Sequence, residues 1–349
     1  MKAAVLQNLG NMEFTEVEDP KCEAEGLVVK VMASAICGTD LKIYRHGHAW
    51  ITLPWILGHE NAGVVAEIGS GVTGWKIGDR VAVGCIMPCN DCYFCNQGWH
   101  TSCQNPRGIS YHYPGGFAEY MAIPPEALKC GLVQRIPDNL SFAEAAVAEP
   151  LSCVINGQEI IDMHLGDQVV IIGMGTIGCL HALLAKSRGA VKVIGADVLE
   201  SKRDLVGIFG VDVYINSSQE DLVKRVMEET DGLGATTVIV ACSVGKAQEQ
   251  ALSLVRSRGR ICFFGGLPKD RPFVNINSNI IHYKEVSAHG AFSSSPRQYQ
   301  LALDLIISGK IKVKEFITHT FPLQDISEAL KMAEKEESLK VVLEPWPAL

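Results

Sequence analysis

Residues 168–178 read QVVIIGMGTIG: a short, mostly apolar run, a glycine-rich turn and the first residues of a helical pattern. Strand-like runs and helix-period segments, the latter including Glu220 to Glu229 and Gln248 to Arg256, then alternate along the chain as far as residue 264. Alternating β and α elements of this length are typical of a doubly wound parallel sheet. The sequence therefore predicts an α/β fold for this part of the chain.

The glycines of this turn, Gly173, Gly175 and Gly178, have the G-x-G-x-x-G spacing of a dinucleotide site. Glycine permits the tight turn and lets a pyrophosphate approach the N-terminus of the next helix. Asp197 ends the following strand-like run, where a carboxylate accepts hydrogen bonds from the adenosine ribose and repels a 2′-phosphate. The pattern therefore predicts binding of NAD rather than NADP. Other expected cofactor contacts are Thr176 and Ile177 in the turn, Gly265 after a later strand, and Lys202 and Arg203, which are alternatively solvated helix charges.

Length and charge exclude several classes of protein. The chain has 349 residues, which is long for one hydrophobic core, so two domains are expected. A formal net charge of −8 offers no basic stripe for a nucleic acid. No apolar stretch is long enough to span a membrane, and the first residues lack the apolar run of a secretory signal. We therefore expect a cytoplasmic protein with neither a nucleic acid nor a membrane as partner.

The first 150 residues differ in character from residues 168–264. Short apolar runs such as Leu27 to Val31, Gly63 to Ile68 and Arg80 to Val83 are separated by glycine-rich turns. Short, turn-separated, β-rich segments predict a compact barrel-like domain. The tail adds two amphipathic stretches and one strand-like run, which are Pro296 to Ser308, Asp325 to Glu334 and Leu339 to Leu343.

Four of the 12 cysteines form a cluster with the spacing C-x2-C-x2-C-x7-C, namely Cys89, Cys92, Cys95 and Cys103. Four thiolates from one loop can close a tetrahedral shell around zinc, and such a site has no open position for chemistry. Free thiols or an iron–sulfur cluster are the alternatives. Cys85 breaks the spacing and is interpreted as a packing residue.

A second set of possible metal ligands is spread along the chain. Cys37 begins the segment CGTD, His59 and Glu60 lie in the segment GHE, and Glu149 begins EPLS. One thiolate, one imidazole and one carboxylate leave a position open for water or substrate, as a catalytic zinc requires. Taken alone, these residues are better explained as ordinary packing and surface residues.

The run GHENAGVVAEIGSGV at residues 58–72 resembles the signature of zinc-containing medium-chain alcohol dehydrogenases. The CGTD segment, the cysteine cluster and the glycine turn follow in the order of that family, so the resemblance covers nearly the whole chain. It implies a GroES-like β-barrel-type catalytic domain made of residues 1–152 and 291–349, and a Rossmann NAD-binding domain at 153–290. It also favours structural zinc for the four-cysteine cluster, and therefore two zinc ions per subunit.

The resemblance also assigns roles to residues of the second set. It implies that Cys37 and His59 ligate the catalytic zinc, and that Asp40 orients the His59 ring. Glu60 is a third ligand in the sorbitol and threonine dehydrogenase branches. The segment EPLS is similar to the polyol dehydrogenase branch, in which the glutamate, here Glu149, lies at or near the metal. Whether Glu60, Glu149 or water completes the shell stays open.

The proton of the alcohol also needs a route out. Thr39 occupies the family's relay position, where a hydroxyl passes the proton towards the cofactor ribose. Lys42 stands where relatives often carry a relay histidine, which is a departure from the pattern. Either Lys42 releases the proton, if burial lowers its pKa, or a nearby histidine or water does so and Lys42 is a solvated surface residue.

The resemblance implies an enzyme that oxidises the secondary alcohol of a polyol to a ketone, reversibly, by hydride transfer to NAD. Polar and basic residues expected at the rim of the substrate cleft are Tyr44, Arg45, His46, His48, Arg107, His112 and Tyr113. Alternative substrates are a sugar or polyol phosphate and a threonine-like amino alcohol. A non-enzymatic zinc- and dinucleotide-binding protein is a third possibility, but such a binder needs no open metal site. Relatives are dimers or tetramers, so a homo-oligomer, with a homotetramer as the working expectation, is predicted.

Overall fold

The computed structural model describes residues 1–346 of the chain. Its internal contacts divide these residues into two units. The first unit combines Met1–Ser152 with the chain from Ser293 onward, and the second is Cys153–Phe292. The family resemblance implies the corresponding boundaries after residues 152 and 290.

The first unit begins with ten strands. In chain order they are β1 (Lys2–Asn8), β2 (Asn11–Glu16), β3 (Leu27–Ala35), β4 (Trp55–Ile56), β5 (Glu60–Ile68), β6 (Arg80–Val83), β7 (Ile86–Met87), β8 (Arg107–Gly108), β9 (Tyr120–Ile123) and β10 (Val133–Arg135). The helices among and after them are α1 (Gly38–His46), α2 (Tyr93–Asn96), α3 (Pro125–Lys129), α4 (Phe142–Ala146) and α5 (Ala148–Ile160).

The second unit alternates strands and helices, as the sequence pattern predicts. Its strands are β11 (Gln168–Ile172), β12 (Lys192–Asp197), β13 (Val213–Asn216), β14 (Ala235–Val240), β15 (Val255–Phe263) and β16 (Ser287–Gly290). Its helices are α6 (Thr176–Ser187), α7 (Arg203–Val206), α8 (Leu222–Glu229), α9 (Gly245–Leu254) and α10 (Ser278–Lys284). The returning chain of the first unit forms α11 (Pro296–Ile307), β17 (Ile317–Pro322), α12 (Ile326–Ala333) and β18 (Lys340–Glu344).

The main sheet of the first unit has the order β10-β6-β5-β3-β18-β17, with β9 also paired to β3. Strand β18 pairs with β3 through Val342 opposite Ala35, so the last strand is built into the sheet that the first part of the chain forms. A smaller sheet β2-β1-β4 and the pair β7-β8 complete the β-rich unit. The expected β-rich, barrel-type domain is thus present.

The sheet of the second unit has the order β13-β12-β11-β14-β15-β16 and all its strand pairs are parallel. This is the doubly wound order, in which the strand sequence reverses between β11 and β14. Ligands of such sheets bind outside the carboxyl ends of the strands at this reversal. The core is aliphatic and includes Ile194, Val238 and Ile261, all fully buried.

The predicted C-terminal end of one helix is wrong. The helix-period segment Gln248 to Arg256 predicts a helix that ends at Arg256, whereas α9 ends at Leu254 and β15 begins at Val255. Val255 pairs with Ala235 of β14 and is fully buried in the sheet. The pairing with the neighbouring strand overrides the local helical pattern, and periodicity alone does not record that pairing.

Every helix among residues 1–346 is too short or too polar to traverse a lipid bilayer.

Candidate metal centres and dinucleotide site

The four-cysteine cluster forms one compact group of sulfurs. Its ligand atoms all lie within 4.8 Å of one another, with Cys89 Sγ 3.9 Å from Cys95 Sγ and Cys92 Sγ 4.0 Å from Cys103 Sγ. A tetrahedral zinc with Zn–S bonds of about 2.3 Å requires roughly 3.8 Å between its sulfurs, so the group fits this ion. None of the 12 cysteines forms a disulfide. Cys85 is buried and its thiol donates to the Ile109 carbonyl, in keeping with a packing role.

Backbone amides support the cysteine group. The Cys89 amide donates to Cys103 Sγ over 3.2 Å and the Cys92 amide donates to Cys89 Sγ over 3.4 Å. Such N–H donors favour a thiolate over a thiol. Backbone hydrogen bonds, first from Gln104 and then from Cys95, lower the pKa of Cys92 to about 6. Burial instead raises the pKa of Cys95 to about 12 and also raises the pKa of Cys103, so the amides favour the thiolate in only part of the cluster.

The second set of ligands comes together where β3 ends and β5 begins. Cys37 is the residue before α1, and Ala35 of β3 pairs with Glu60 of β5. One ligand atom each of Cys37, His59 and Glu60 lies within 4.8 Å of the others. His59 and Glu60 are 4% and 0% exposed, and Cys37 is partly exposed.

Gly58 permits the backbone turn that precedes His59. It adopts φ +99°, and a Cβ there would lie 2.5 Å from the Phe117 ring. Any other residue would be strained in its backbone and would collide with a fully buried phenylalanine. The glycine of the GHE segment is thus required by the turn that presents His59.

Asp40 holds both Cys37 and His59. Its Oδ1 lies 3.1 Å from His59 Nδ1, and its Oδ2 accepts a hydrogen bond of 2.9 Å from the Cys37 amide. The bond to Nδ1 leaves Nε2 as the ligand atom, the usual arrangement of a carboxylate behind a metal-binding histidine. Burial opposes a charge on His59, but the negative charges of Asp40 and Cys37 outweigh it and raise the pKa of His59 well above its usual range. The local field therefore favours a cation.

Glu60 is shared between this set and a buried lysine. Lys340 of β18, 4% exposed, donates from Nζ to Glu60 Oε1 over 2.6 Å and to the Ile36 carbonyl over 3.3 Å. Nζ is equally close to Oε2, but within the described chain no hydrogen bond with good geometry reaches that oxygen. A buried carboxylate oxygen without such a bond fits a metal ligand. A zinc ion is therefore compatible with Cys37, His59 and this oxygen.

The remaining predicted residues of this site lie on α1 and α5. Glu149 is buried at the start of α5, but it is not among the residues of the described chain whose ligand atoms form the 4.8 Å set. Burial raises the pKa of Glu149 to about 7, while His59 opposes and Glu60 adds to this rise. Thr39 is partly exposed on the first turn of α1, and Lys42 is exposed. Their functional roles remain predictions.

An aromatic cluster lies beside His59. The Tyr111 ring is 6.1 Å from the His59 ring, 5.0 Å from His48 and 5.9 Å from Trp50. Trp50, 43% exposed, also contacts His112 at 4.9 Å between ring centroids. These four rings form one wall, which we call the aromatic wall (His48, Trp50, Tyr111 and His112).

Two other residues predicted at the substrate rim have partners elsewhere. Arg45 forms an ion pair with Glu334, and the Tyr113 hydroxyl donates to Glu126 over 2.6 Å. These contacts give both side chains a structural role. The basic residues of the predicted rim therefore do not all converge on one place.

The glycine turn after β11 has the geometry of a dinucleotide cradle. Gly173 adopts φ +96°, and a Cβ on Gly178 would lie 2.0 Å from the Gly173 carbonyl oxygen, so both positions require glycine. Gly175 precedes α6 and offers no side-chain cap, and a Cβ there would meet nothing within 4 Å. The open N-terminus of α6 therefore fits a pyrophosphate, as do Thr176 and Ile177 in its first turn.

Asp197 lies at the carboxyl end of β12 and joins it to this turn. Its Oδ2 accepts from the Met174 amide and its Oδ1 from the Val198 amide, both at 2.7 Å. Three further predicted cofactor residues differ in exposure: Lys202 is buried, Arg203 is exposed and Gly265 is partly exposed. Lys202 and Arg203 come after the carboxyl end of β12, and Gly265 comes after the carboxyl end of β15.

Three residues near the candidate metal set were missed by sequence reasoning, namely Lys340, Trp50 and Tyr111. Lys340 carries a readable signal, because it interrupts the apolar run LKVVL of a predicted strand and a lysine at such a position needs a buried partner. Tyr111 directly precedes two residues that the rim prediction includes. Trp50 carried no comparable signal.

The chain matches two families of known proteins. Residues 23–134 match the alcohol dehydrogenase GroES-like domain, and residues 176–308 match zinc-binding dehydrogenase. A sorbitol dehydrogenase of Bombyx mori is 32% identical over 98% of this chain and 97% of its own length. An L-threonine 3-dehydrogenase of Pyrococcus furiosus is 34% identical over 95% of this chain and 94% of its own. The crystal structure of galactitol-1-phosphate dehydrogenase from Escherichia coli superimposes with a TM-score of 0.89 at 26% identity, covering 99% of this chain and all of that one (100%).

The protein belongs to the zinc-binding alcohol dehydrogenase family, as the motifs predicted. It is therefore an oxidoreductase that acts on the CH–OH group of a small alcohol. The expected combination of a GroES-like domain with a Rossmann-type parallel sheet is confirmed.

Proposed function

We propose that this protein is a zinc-dependent, NAD-linked dehydrogenase that reversibly oxidises the secondary alcohol of a polyol to a ketone. The observation that carries the proposal is the set of Cys37, His59 and Glu60, which brings three ligands of different type together, with Cys37 partly exposed. A set of three leaves a position for the substrate oxygen, whereas a purely structural site would be closed.

Zinc held by this set would supply a Lewis acid that lowers the pKa of the bound alcohol towards neutrality. The chain's own residues prepare the site. Asp40 fixes the His59 ring with Nε2 towards the set, and Lys340 holds one oxygen of Glu60 so that the other can turn to the ion. Glu149 remains a candidate to exchange with water as a further ligand.

Thr39 is proposed to relay the proton of the alcohol: its hydroxyl oxygen accepts that proton while its own hydroxyl proton passes on to water. It lies two residues after Cys37 on the first turn of α1, and its hydroxyl binds zinc poorly. Lys42 is exposed, so a route from Thr39 to water is simpler than a route from Thr39 through Lys42. Lys42 then acts as a solvated side chain.

The four cysteines are proposed to hold a second, structural zinc. With four thiolates the shell is complete, so this ion would stabilise the loop between β7 and β8 and take no part in turnover. The same loop leads into the aromatic wall through Tyr111 and His112. Loss of the ion should therefore affect folding first and activity indirectly.

For the cofactor we propose NAD, bound at Gly173, Gly175 and Gly178 with Asp197 facing the adenosine ribose. The glycines admit the pyrophosphate at α6, and a carboxylate at the end of the second strand of the domain disfavours a 2′-phosphate. Gly265 is assigned to the segment beneath the nicotinamide ribose because it lies just beyond the carboxyl end of β15, after Phe264.

An uncharged polyol is the substrate that the aromatic wall favours. Burial first, and then Arg107, lowers the pKa of His112, so this histidine is neutral near pH 7. The rings of the wall offer stacking and hydrogen bonds to hydroxyl groups and carry no guanidinium or ammonium for a phosphate. Arg107, the nearby cation that acts on His112, is not part of the wall and also acts on Tyr113 and Glu126. A polyol phosphate, as in the Escherichia coli relative, is the second candidate, and a threonine-like amino alcohol the third.

Self-association is proposed as well, as a homodimer or homotetramer in the cytoplasm. Strand β16 ends the six-stranded sheet, and its residues Ser287, Ala288 and Gly290 are exposed. Tyr283 and Phe292 flank this edge and are each 78% exposed. An open strand edge with large exposed rings beside it suits pairing with a second copy of the chain.

The experiment is a substrate panel on the zinc-loaded protein. Sorbitol, xylitol, their phosphates, threonine and a simple secondary alcohol are offered with NAD, and NADH formation is followed by fluorescence. We expect the highest kcat/KM for an unphosphorylated polyol and none after zinc is removed. A clear preference for a phosphate or for threonine would replace the polyol assignment, and turnover that survives complete removal of zinc would contradict the proposal.

A further inference from the structure

The guanidinium of Arg203 is held by two carboxylates at the adenosine end of the proposed NAD site. Its Nε donates to Glu200 Oε1, and its Nη2 donates to Glu200 Oε2 over 3.2 Å. The same Nη2 lies 3.8 Å from Glu220 Oε1. Glu200 is therefore the main counter-charge of Arg203, because Glu220 also pairs with Arg225 over 3.0 Å.

Further contacts fix this pair in place. Arg203 Nη1 donates to the Tyr214 carbonyl over 3.3 Å, and its guanidinium carbon lies 5.0 Å from the centre of the Tyr214 ring. Glu200 in turn accepts a hydrogen bond of 2.8 Å from Asn216 Nδ2. The hydrogen bonds from Arg203 first, and from Asn216 second, lower the pKa of Glu200. Glu200 is thus a fixed anion held from two sides.

The ion pair of Glu200 and Arg203 comes soon after β12, the strand that carries Asp197. Asp197 ends β12 at the place where the ribose of a dinucleotide is recognised, and Glu200 and Arg203 follow it directly. A 2′-phosphate at this place needs a basic partner, and guanidinium is the group best suited to bind it. Lys202 is only 5% exposed, whereas the Arg203 side chain is 43% exposed. Arg203 is thus the more accessible of these two cations.

We propose that Glu200 is a specificity-determining residue for the dinucleotide, which excludes NADP by binding the guanidinium of Arg203 and keeping it from the 2′ position of the adenosine ribose. This inference rests on the NAD site proposed above. Asp197 repels the phosphate directly, and Glu200 acts beside it by removing the cation that would otherwise compensate. Glu200 is therefore a positioning residue that acts through Arg203.

Binding of reduced dinucleotides to the zinc-loaded protein tests the proposal without turnover. The Kd values of NADH and NADPH are measured by fluorescence titration for wild type and for E200Q, which has nearly the same shape but no charge. We expect E200Q to bind NADPH about tenfold more tightly, the scale of one charge-assisted hydrogen bond, and NADH within about twofold of wild type. In E200Q/R203Q the gain should vanish, because the released guanidinium is what binds the phosphate.

A matched control is E228Q. Glu228 also forms an ion pair with an arginine three residues away, Arg225, and its side chain is 47% exposed against 49% for Glu200. It lies on α8, away from the end of β12 in sequence. E228Q should leave both Kd values unchanged, so a gain in NADPH binding in E228Q as large as that in E200Q would contradict the proposal.

The outcomes separate this inference from the proposed NAD site. If wild type binds NADH and E200Q keeps the wild-type Kd for NADPH, the role of Glu200 is wrong and the NAD site stands. If wild type binds neither dinucleotide, the site itself is wrong and this inference falls with it. Should E200Q melt well below wild type, E200D takes its place. The aspartate side chain is too short to make both contacts with Arg203, so we expect E200D to bind NADPH about threefold more tightly than wild type. No gain in NADPH affinity would contradict the proposal.

Discussion

Replacing Lys340 by methionine tests how the candidate metal set is assembled. The substitution keeps a long flexible side chain but removes the ammonium that lies 2.6 Å from Glu60 and 3.3 Å from the Ile36 carbonyl. The two charged side chains are 4% and 0% exposed. Glu60 would therefore remain as a buried carboxylate without its counter-ion.

The size of the effect follows from this burial. Removing one partner of a buried ion pair destabilises a protein by about 3–5 kcal/mol. For a unit of this size about 1 kcal/mol corresponds to roughly 2–4 °C, so Lys340→Met should lower the melting temperature of the zinc-free protein by about 6–20 °C. Zinc bound to Glu60 would supply a counter-charge, so the loss should be smaller in the zinc-loaded protein. Glu60→Gln combined with Lys340→Met should recover much of the stability, because it removes the unpaired charge.

The assay is urea unfolding and thermal melting of the protein with and without zinc. Lys129→Met is the control, because Lys129 lies at the same 2.6 Å from Glu25 but both side chains are exposed, at 70% and 59%. An exposed pair of this kind contributes about 0–1 kcal/mol, so Lys129→Met should have little effect. A loss for Lys340→Met no larger than that for Lys129→Met would refute the role assigned to the buried pair.

Three further predictions concern the two metal sets, the proton and the pH. Cys103→Ser should release one zinc and impair folding, whereas Cys37→Ser should mainly abolish turnover; metal analysis showing a single zinc that Cys103→Ser leaves in place would contradict two sites. Thr39→Ala should lower kcat/KM by roughly 10²–10⁴-fold with zinc and NADH binding intact, and Thr39→Ser should keep much of the rate; equal losses below about tenfold for both would exclude Thr39 as the relay. Burial lowers the pKa of His181 to about 3 in the folded protein, whereas the unfolded chain binds a proton at this residue below about pH 6.5. The free energy of unfolding should therefore fall by about 1.4 kcal/mol per pH unit from about pH 6.5 towards pH 3. His181→Leu should remove this contribution, and unfolding free energies at pH 7 and pH 5 that change equally in both proteins would disprove it.

The parts of the molecule that sequence alone predicts are those whose determinants are local. The segment from β11 through Gly173 to α6 carries its strand, its turn and its helix start in a few consecutive residues. The four cysteines likewise belong to one loop, so their spacing predicts that the four thiols lie together, whereas zinc as the ion was implied by the family resemblance. A local pattern and a local structure coincide in both cases.

The parts that sequence could not predict depend on contacts between distant residues. Glu60 and Lys340 meet only because β18 joins the sheet beside β3, which no periodicity indicates. The end of α9 was misplaced for the same reason, because the pairing of Val255 with β14 decides it. Glu200 and Arg203 are close in sequence, but the sequence does not show that the guanidinium of Arg203 binds this carboxylate rather than the cofactor.

The central claim is zinc-dependent hydride transfer from a secondary alcohol to NAD, and isotope transfer tests it most directly. A polyol deuterated at its secondary carbinol carbons is incubated with NAD and the zinc-loaded protein, and the NADH formed is analysed by mass spectrometry. We expect one deuterium per NADH, no NADH once zinc has been removed, and recovery when zinc is returned. NADH without deuterium, or no reduction of NAD by any secondary alcohol in the zinc-loaded protein, would contradict this account.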